Sequence, residues 1–144
     1  MEFNKPAEYK NISSGQTRSL NENTVNTLTS VIVDREEFQD LLNNNENVIV
    51  FKFGAVWCKP CMLIKKHVEN CVSMLNKNVL CLDLDVDDSF DLYAYLKSKK
   101  QVSGIPCLLA YKRGNATFAP DASISGANNT EISNFFNLVN NYNK

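Results

Sequence analysis

Between Val48 and Phe53 the chain reads VIVFKF, an apolar run interrupted only by Lys52. Such a strand leaves no face for water and has to be covered on both sides, the condition met in sheets with helices packed above and below. The flanking segments supply that cover. Val31–Val33 predicts a short strand, and Asp34 with Glu37 makes a capping box ahead of the inward stripe Phe38, Leu41, Leu42. After VIVFKF a helical pattern runs from about Cys58 to Leu75. Residues 79–86, VLCLDLDV, form the next strand, with Leu80, Leu82, Leu84 and Val86 on one face and Cys81 on the other. Asp88 or Ser89 caps a third helix to about Lys99 that carries Phe90, Leu92, Tyr93 and Leu96. CLLAYK follows Pro106 as a strand, turns at residues 112–115 and returns from Ala116. A last helix from about Thr130 shows Ile132, Phe135, Phe136 and Val139 at helical spacing. Strands alternating with helices, then a hairpin and a helix, predict a three-layer α/β/α sandwich on a central mixed β-sheet.

The chain has 144 residues, enough for one domain with a proper core. Residues 1–29 are polar and without period, which predicts a flexible N-terminal extension; the folded domain is expected over 30–144. A formal charge of −1 offers no basic excess for nucleic acid, and no apolar run is long enough for a membrane span. The N-terminus lacks the basic start and apolar stretch of a secretory signal. Five cysteines, an odd number, fit free thiols in a reducing, cytoplasmic setting better than a secreted disulfide framework.

Cys58 and Cys61 are the residues with chemistry. Cys61 shares a helical face with Ile64, Val68, Cys71, Val72 and Leu75, so it is expected to lie beneath the surface. Cys58 falls at the helix start, beyond that stripe and nearer solvent. Unpaired N–H groups and the positive end of the helix dipole favour a thiolate there, lowering a cysteine pKa from about 8.5 towards about 7 or below. Lys59 adds positive charge, and Pro60 fits an early helical position where no N–H is needed. The pattern suits attack by Cys58 on a disulfide and resolution by Cys61. A metal site is the weaker reading, because zinc wants four ligands and no second C-x-x-C accompanies Cys71, Cys81, Cys107 and His67. Two merely structural cysteines would leave a thiol at a helix mouth without a reason.

Trp57-Cys58-Lys59-Pro60-Cys61, with a distant Gly104-Ile105-Pro106, resembles the thioredoxin family over about residues 31–144. The resemblance implies a thioredoxin-like fold and a protein-disulfide reductase that needs no bound cofactor or metal. Its partners would be disulfide-containing proteins and a separate reductase or small-thiol electron donor. It makes Cys58 the attacking thiol, Cys61 the resolving one and Trp57 a shield beside them. Ile105-Pro106 becomes a cis-proline loop offering its backbone to substrate. Substrate contact would fall to Trp57, Lys59, Pro60, Ile105 and Pro106. Two readings from other classes stay open: a binding or assembly module with an incidental C-x-x-C, and a metal or iron–sulfur binder using Cys58, Cys61 and Cys107.

The chain departs from the family pattern in informative places. Lys59 stands where a glycine is usual, and Lys66 where the helix commonly carries a proline. A buried Asp usually lies six residues before the first cysteine, partnered by a lysine on the next strand; here those places hold Lys52 and Asp83. The resemblance thus implies the same pair with its charges exchanged, Asp83 neutralising Lys52 and taking the proton of Cys61. The alternative is a Lys52 that snorkels to water past the sheet edge. Cys107, after the cis-proline, reads either as a small buried residue or as a third thiol near the site. Cys71 lies roughly 15 Å along the helix from Cys61, too far for a disulfide, and reads as core. His67, roughly 13 Å from Cys58, cannot serve as its base. Residues 116–126 read as a surface loop, with Gly126 resembling a glycine that flanks the substrate groove.

Overall fold

The computed structural model describes residues 25–142; the N-terminal 24 residues, where most of the expected extension falls, lie outside them. Among the described residues the elements run β1 (Leu28–Ser30), α1 (Arg35–Asn43), β2 (Val48–Gly54), α2 (Lys59–Ser73), β3 (Leu80–Asp85) and α3 (Phe90–Ser98). They continue through β4 (Cys107–Lys112) and β5 (Ala122–Ser125) to α4 (Asn129–Tyr142). The sheet order is β1-β3-β2-β4-β5. β3 runs parallel to both β1 and β2, while β4 is antiparallel to β2 and β5. This is the expected mixed sheet, with β2 at its centre.

All seven residues of β2 are buried, and alternation divides them between two cores. Ile49, Phe51 and Phe53 join Leu82, Leu84, Leu109 and Tyr111 beneath Phe38, Leu41 and Leu42 of α1 and Leu92 and Leu96 of α3. Phe38, Phe51 and Tyr111 meet there with ring centroids 5.2–5.7 Å apart, and the Tyr111 hydroxyl donates to the Phe118 carbonyl. On the other face Val48 and Val50 pack with Cys81, Leu108 and Ala110 beneath Ile64, Val68 and Val72 of α2 and Ile132, Phe135, Phe136 and Val139 of α4. Each such fully buried aliphatic or aromatic side chain contributes about 1.5–3 kcal/mol.

Four local expectations are corrected. The first strand is Leu28–Ser30, not Val31–Val33, so the sheet begins before residue 30. Val33 instead enters the first core as the residue before the Asp34 N-cap, with Phe38 in the same cluster, the arrangement of a hydrophobic staple. The capping box itself is present, Glu37 N donating to Asp34 and Asp34 N to the Glu37 carboxylate. The hairpin returns at Ala122 rather than Ala116, because side chains capture the backbone between the two strands. Asn115 donates to the Ala119 carbonyl and to Asp121, and accepts from Thr117 N, while Asp121 accepts from Lys112 N. The last part of the expected surface loop is therefore β5. Phe90 is exposed at the first turn of α3, whose burial rests on Leu92 and Leu96.

Ser89 precedes α3 as expected, but its side chain makes no capping bond. It is 2% exposed, and its hydroxyl accepts from the Val33 N–H at 3.0 Å, tying the entry of α1 to that of α3. Ser89→Ala should orphan that buried donor and lower stability by about 1–3 kcal/mol. A lower urea midpoint with an unchanged slope is the expected result, and an unchanged midpoint would show that the bond carries no weight.

Candidate active site

The end of β2 and the start of α2 build the site. After Gly54 the chain turns, the Cys58 N–H donating to the Ala55 carbonyl, and Cys58 becomes the N-cap of α2 with extended φ and ψ. Its sulfur accepts from the Cys61 N–H at 3.2 Å, the capping role usually taken by a side-chain oxygen. Cys58 and Cys61 are joined as a disulfide, with their Cα atoms 5.3 Å apart. Pro60 sits in the first turn. Lys59 and Pro60 are exposed, as is Trp57 at 65%, and Trp57 Nε1 donates to Asp87 Oδ2 at 2.8 Å. The expected contrast between an exposed and a covered thiol is absent in this disulfide, since Cys58 and Cys61 are each 5% exposed. The cause is the N-cap geometry, which folds the Cys58 sulfur back over the first turn instead of outward.

The Ile105–Pro106 bond is cis. Cys107 pairs with Phe53, and one further step of that register sets Pro106 level with Gly54, at the end of β2 that leads to Cys58. The Pro106 carbonyl accepts from Gly126 N at 2.9 Å. Gly126 has φ of 100°, a conformation that glycine adopts without penalty. Trp57, Lys59, Pro60, Ile105 and Pro106 thus converge on one end of the sheet.

Lys52 lies beneath. It continues the Val48, Val50 face of β2 towards α2 and is paired in register with Asp83 of β3. Its Nζ is 3.2 Å from Asp83 Oδ1; the Lys52 side chain is 8% exposed and that of Asp83 31%. The ammonium therefore does not snorkel to water; it is buried and ion-paired, with the carboxylate linking it to the surface.

The remaining cysteines stand apart. Cys107 alternates onto the α1/α3 face with Leu109 and Tyr111, across the sheet from Lys52, so it is a core thiol and not a third member of the site. Cys71 is half-buried at the edge of the other core, not within it, 3.7 Å from His67 Nε2. His67 bridges α2 to α4 through the Asn129 carbonyl and the Ser133 hydroxyl. Among the described residues no three His, Cys, Asp or Glu side chains are grouped so as to hold a metal.

The thioredoxin family model matches residues 29–137, three quarters of the chain. The chain belongs to the thioredoxin family. It is 33% identical over 107 residues to the mitochondrial thioredoxin of Bos taurus, across 74% of this chain and 62% of that protein. It is 32% identical over 102 residues to the thioredoxin of Ovis aries, across 70% of this chain and 89% of that one. The chain thus spans about three-fifths of the length of the bovine mitochondrial relative. Among solved structures, Plasmodium falciparum thioredoxin superposes with a TM-score of 0.58 at 26% identity, covering 76% of this chain and 86% of that one. Thioredoxin of Malassezia sympodialis superposes with a TM-score of 0.62 at 19% identity, covering 81% and 94%, a likeness of fold.

Asp87, the partner of the Trp57 indole, was not expected at the site. The signal lay in topology. Asp87 follows β3, which runs parallel to β2, so the loops leaving both strands emerge at the same end of the sheet.

Burial pushes the Cys107 thiol up, partly offset by a hydrogen bond with Ser125, and pushes the Tyr111 phenol far up. Both groups keep their protons to higher pH in the native state than in the unfolded chain. Their contribution is intact below the ordinary thiol value of about 8.5 and is lost as pH rises past it. The urea midpoint should fall between about pH 8.5 and 10.5, and Cys107→Val should make that fall shallower. A midpoint flat across this range would contradict the assignment.

Proposed function

We propose that this chain is a thiol–disulfide oxidoreductase that reduces protein disulfides, with Cys58 as nucleophile and Cys61 as resolving thiol. The observation that carries the reading is the bonded Cys58–Cys61 pair at the N-cap of α2, at the same sheet end as cis-Pro106. Family membership supports the same chemistry.

In the reduced protein the Cys58 sulfur, held by the Cys61 N–H and the helix terminus, attacks one sulfur of a substrate disulfide. The substrate's other sulfur leaves as a thiolate, and a mixed disulfide forms on Cys58. Cys61 gives up its proton to Asp83, directly or through water, and attacks the Cys58 sulfur. The second substrate sulfur departs, two electrons have passed to the substrate, and the Cys58–Cys61 disulfide is complete. A separate reductase or small thiol returns the electrons; no bound cofactor enters the cycle. Trp57, Lys59 and Pro60 form the exposed rim, and Ile105–Pro106 supplies backbone to an extended substrate segment.

We place the protein in the cytoplasm, because the unbridged thiols of Cys71 and Cys107 suit a reducing setting. No helix among the described residues is long and apolar enough to cross a membrane. The mitochondrial names of several relatives make a mitochondrial compartment the competing assignment, which imaging of the tagged full chain decides.

Insulin reduction coupled to dithiothreitol should fall to background in Cys58→Ser. Cys61→Ser should instead accumulate a mixed disulfide. A binding module with an incidental C-x-x-C would leave both variants unchanged from the parent. Trp57 is the single tryptophan, so stopped-flow fluorescence can separate attack from resolution. Asp83→Asn should slow resolution by about 100-fold, the lower end of general-base contributions, and attack much less. Equal effects on both steps, or none, would remove Asp83 from the mechanism.

A further inference from the structure

The space above the Gly54 α-carbon brings together two groups that the alignment of strands alone does not connect. A β-carbon built on Gly54 would meet Lys52 Nζ at 3.3 Å and Cys61 Sγ at 3.4 Å. The ammonium and the resolving sulfur therefore border the same point and are the two nearest side-chain groups to it. Lys52 is buried, ion-paired with Asp83 on its β3 side, and opposite apolar Leu108 in the β4 register. From α2 the cation to consider is Lys65, which is held by Glu69 at 2.8 Å and feels the Asp83 charge only as a lesser, through-space influence.

We infer that Lys52 is a positioning residue for the resolving step, its ammonium serving as counter-ion to the Cys61 thiolate that forms when the couple is reduced. The inference rests on the proposed assignment of Cys61 as resolving thiol. In the disulfide state both sulfurs are neutral, and Lys52 answers only to Asp83. On reduction the Cys61 sulfur can become an anion, in a pocket that water enters poorly. An uncompensated buried charge is costly, whereas an opposite charge within about 4–6 Å favours the ionised form by about 1–3 pKa units. The proton leaves towards Asp83 and solvent; the charge left behind faces Lys52. The ion pair thereby does more than neutralise a buried lysine, since its cation is turned towards the reacting sulfur.

The test uses the full chain carrying Cys58→Ser, so that Cys61 is the thiol followed, with alkylation at residue 61 read by peptide mass spectrometry from pH 5 to 10. Adding Lys52→Met should raise the midpoint by about one unit and slow alkylation at pH 7 about tenfold. Lys52→Met with Asp83→Asn, which removes both charges and leaves none unpaired, should raise it likewise. A midpoint unmoved in both variants would overturn the inference. Should neither fold, the Cys58→Ser protein itself decides: with 13Cε-labelled lysine, the Lys52 resonance should show an inflection at the Cys61 midpoint. A resonance flat through that pH would overturn the inference equally. Failure of the parent reading looks different, for then Cys61→Ser would trap no mixed disulfide whatever Lys52 does.

Discussion

The structure depends on one strand being buried from end to end. Because β2 is covered on both faces, helices have to lie on each side of it, and it is flanked by β3, paired parallel, and β4, paired antiparallel. That confinement makes the site precise. The strand ends at Gly54, and the next structured residue of consequence is the N-cap of a helix whose inner face is pinned by Ile64, Val68 and Val72. Neither cysteine chooses its own position. Cys61 is held as the first buried residue of that face, and Cys58 is held because the helix must begin where the strand lets the chain go.

The same confinement explains how a lysine can live inside the sheet. Adjacent strands in register place Lys52 beside Asp83, so the ion pair follows from backbone hydrogen bonds rather than from long side chains finding each other. The register is a backbone property and does not depend on which of the two strands carries the cation. The order matters chemically, because β2 leads into the cysteine helix and β3 does not. The residue on β2 is the one that borders Cys61, and here it is the cation.

Where the fold follows from burial it was legible in the sequence, and where it follows from particular polar bonds it was not. The order of elements, the stripes of α1, α2 and α4 and the opposite faces of β3 all came from apolar spacing. The capping box was equally plain, since both partners lie within four residues. The first strand was misplaced because Val31–Val33 has the stronger β-propensity, yet the register with Cys81 and the staple at Val33 decide the outcome. The return of the hairpin was misplaced because Asn115 and Asp121 hold the backbone between β4 and β5, and bonds of that kind leave no periodic trace. Ser89 was found for the wrong reason, its hydroxyl serving a strand-to-helix junction and not a cap.

At the site, the places of the paired cysteines, of exposed Trp57, Lys59 and Pro60 and of the cis-proline were legible through the family pattern, and the Lys52–Asp83 pair through departure from it. The burial of Cys58 and the bond from Trp57 to Asp87 were not, since each depends on how a turn folds back. The space over Gly54 could not have been inferred at all. Gly54 lacks positive φ, so no turn demands it; its α-carbon lies beneath the point that the Lys52 ammonium and the Cys61 sulfur both border. In most chains a glycine ending a buried strand would be read as a weakness of packing. Here the same glycine marks where the cation on β2 and the Cys61 sulfur on α2 come to border one point, with a β-carbon there meeting each at 3.3–3.4 Å.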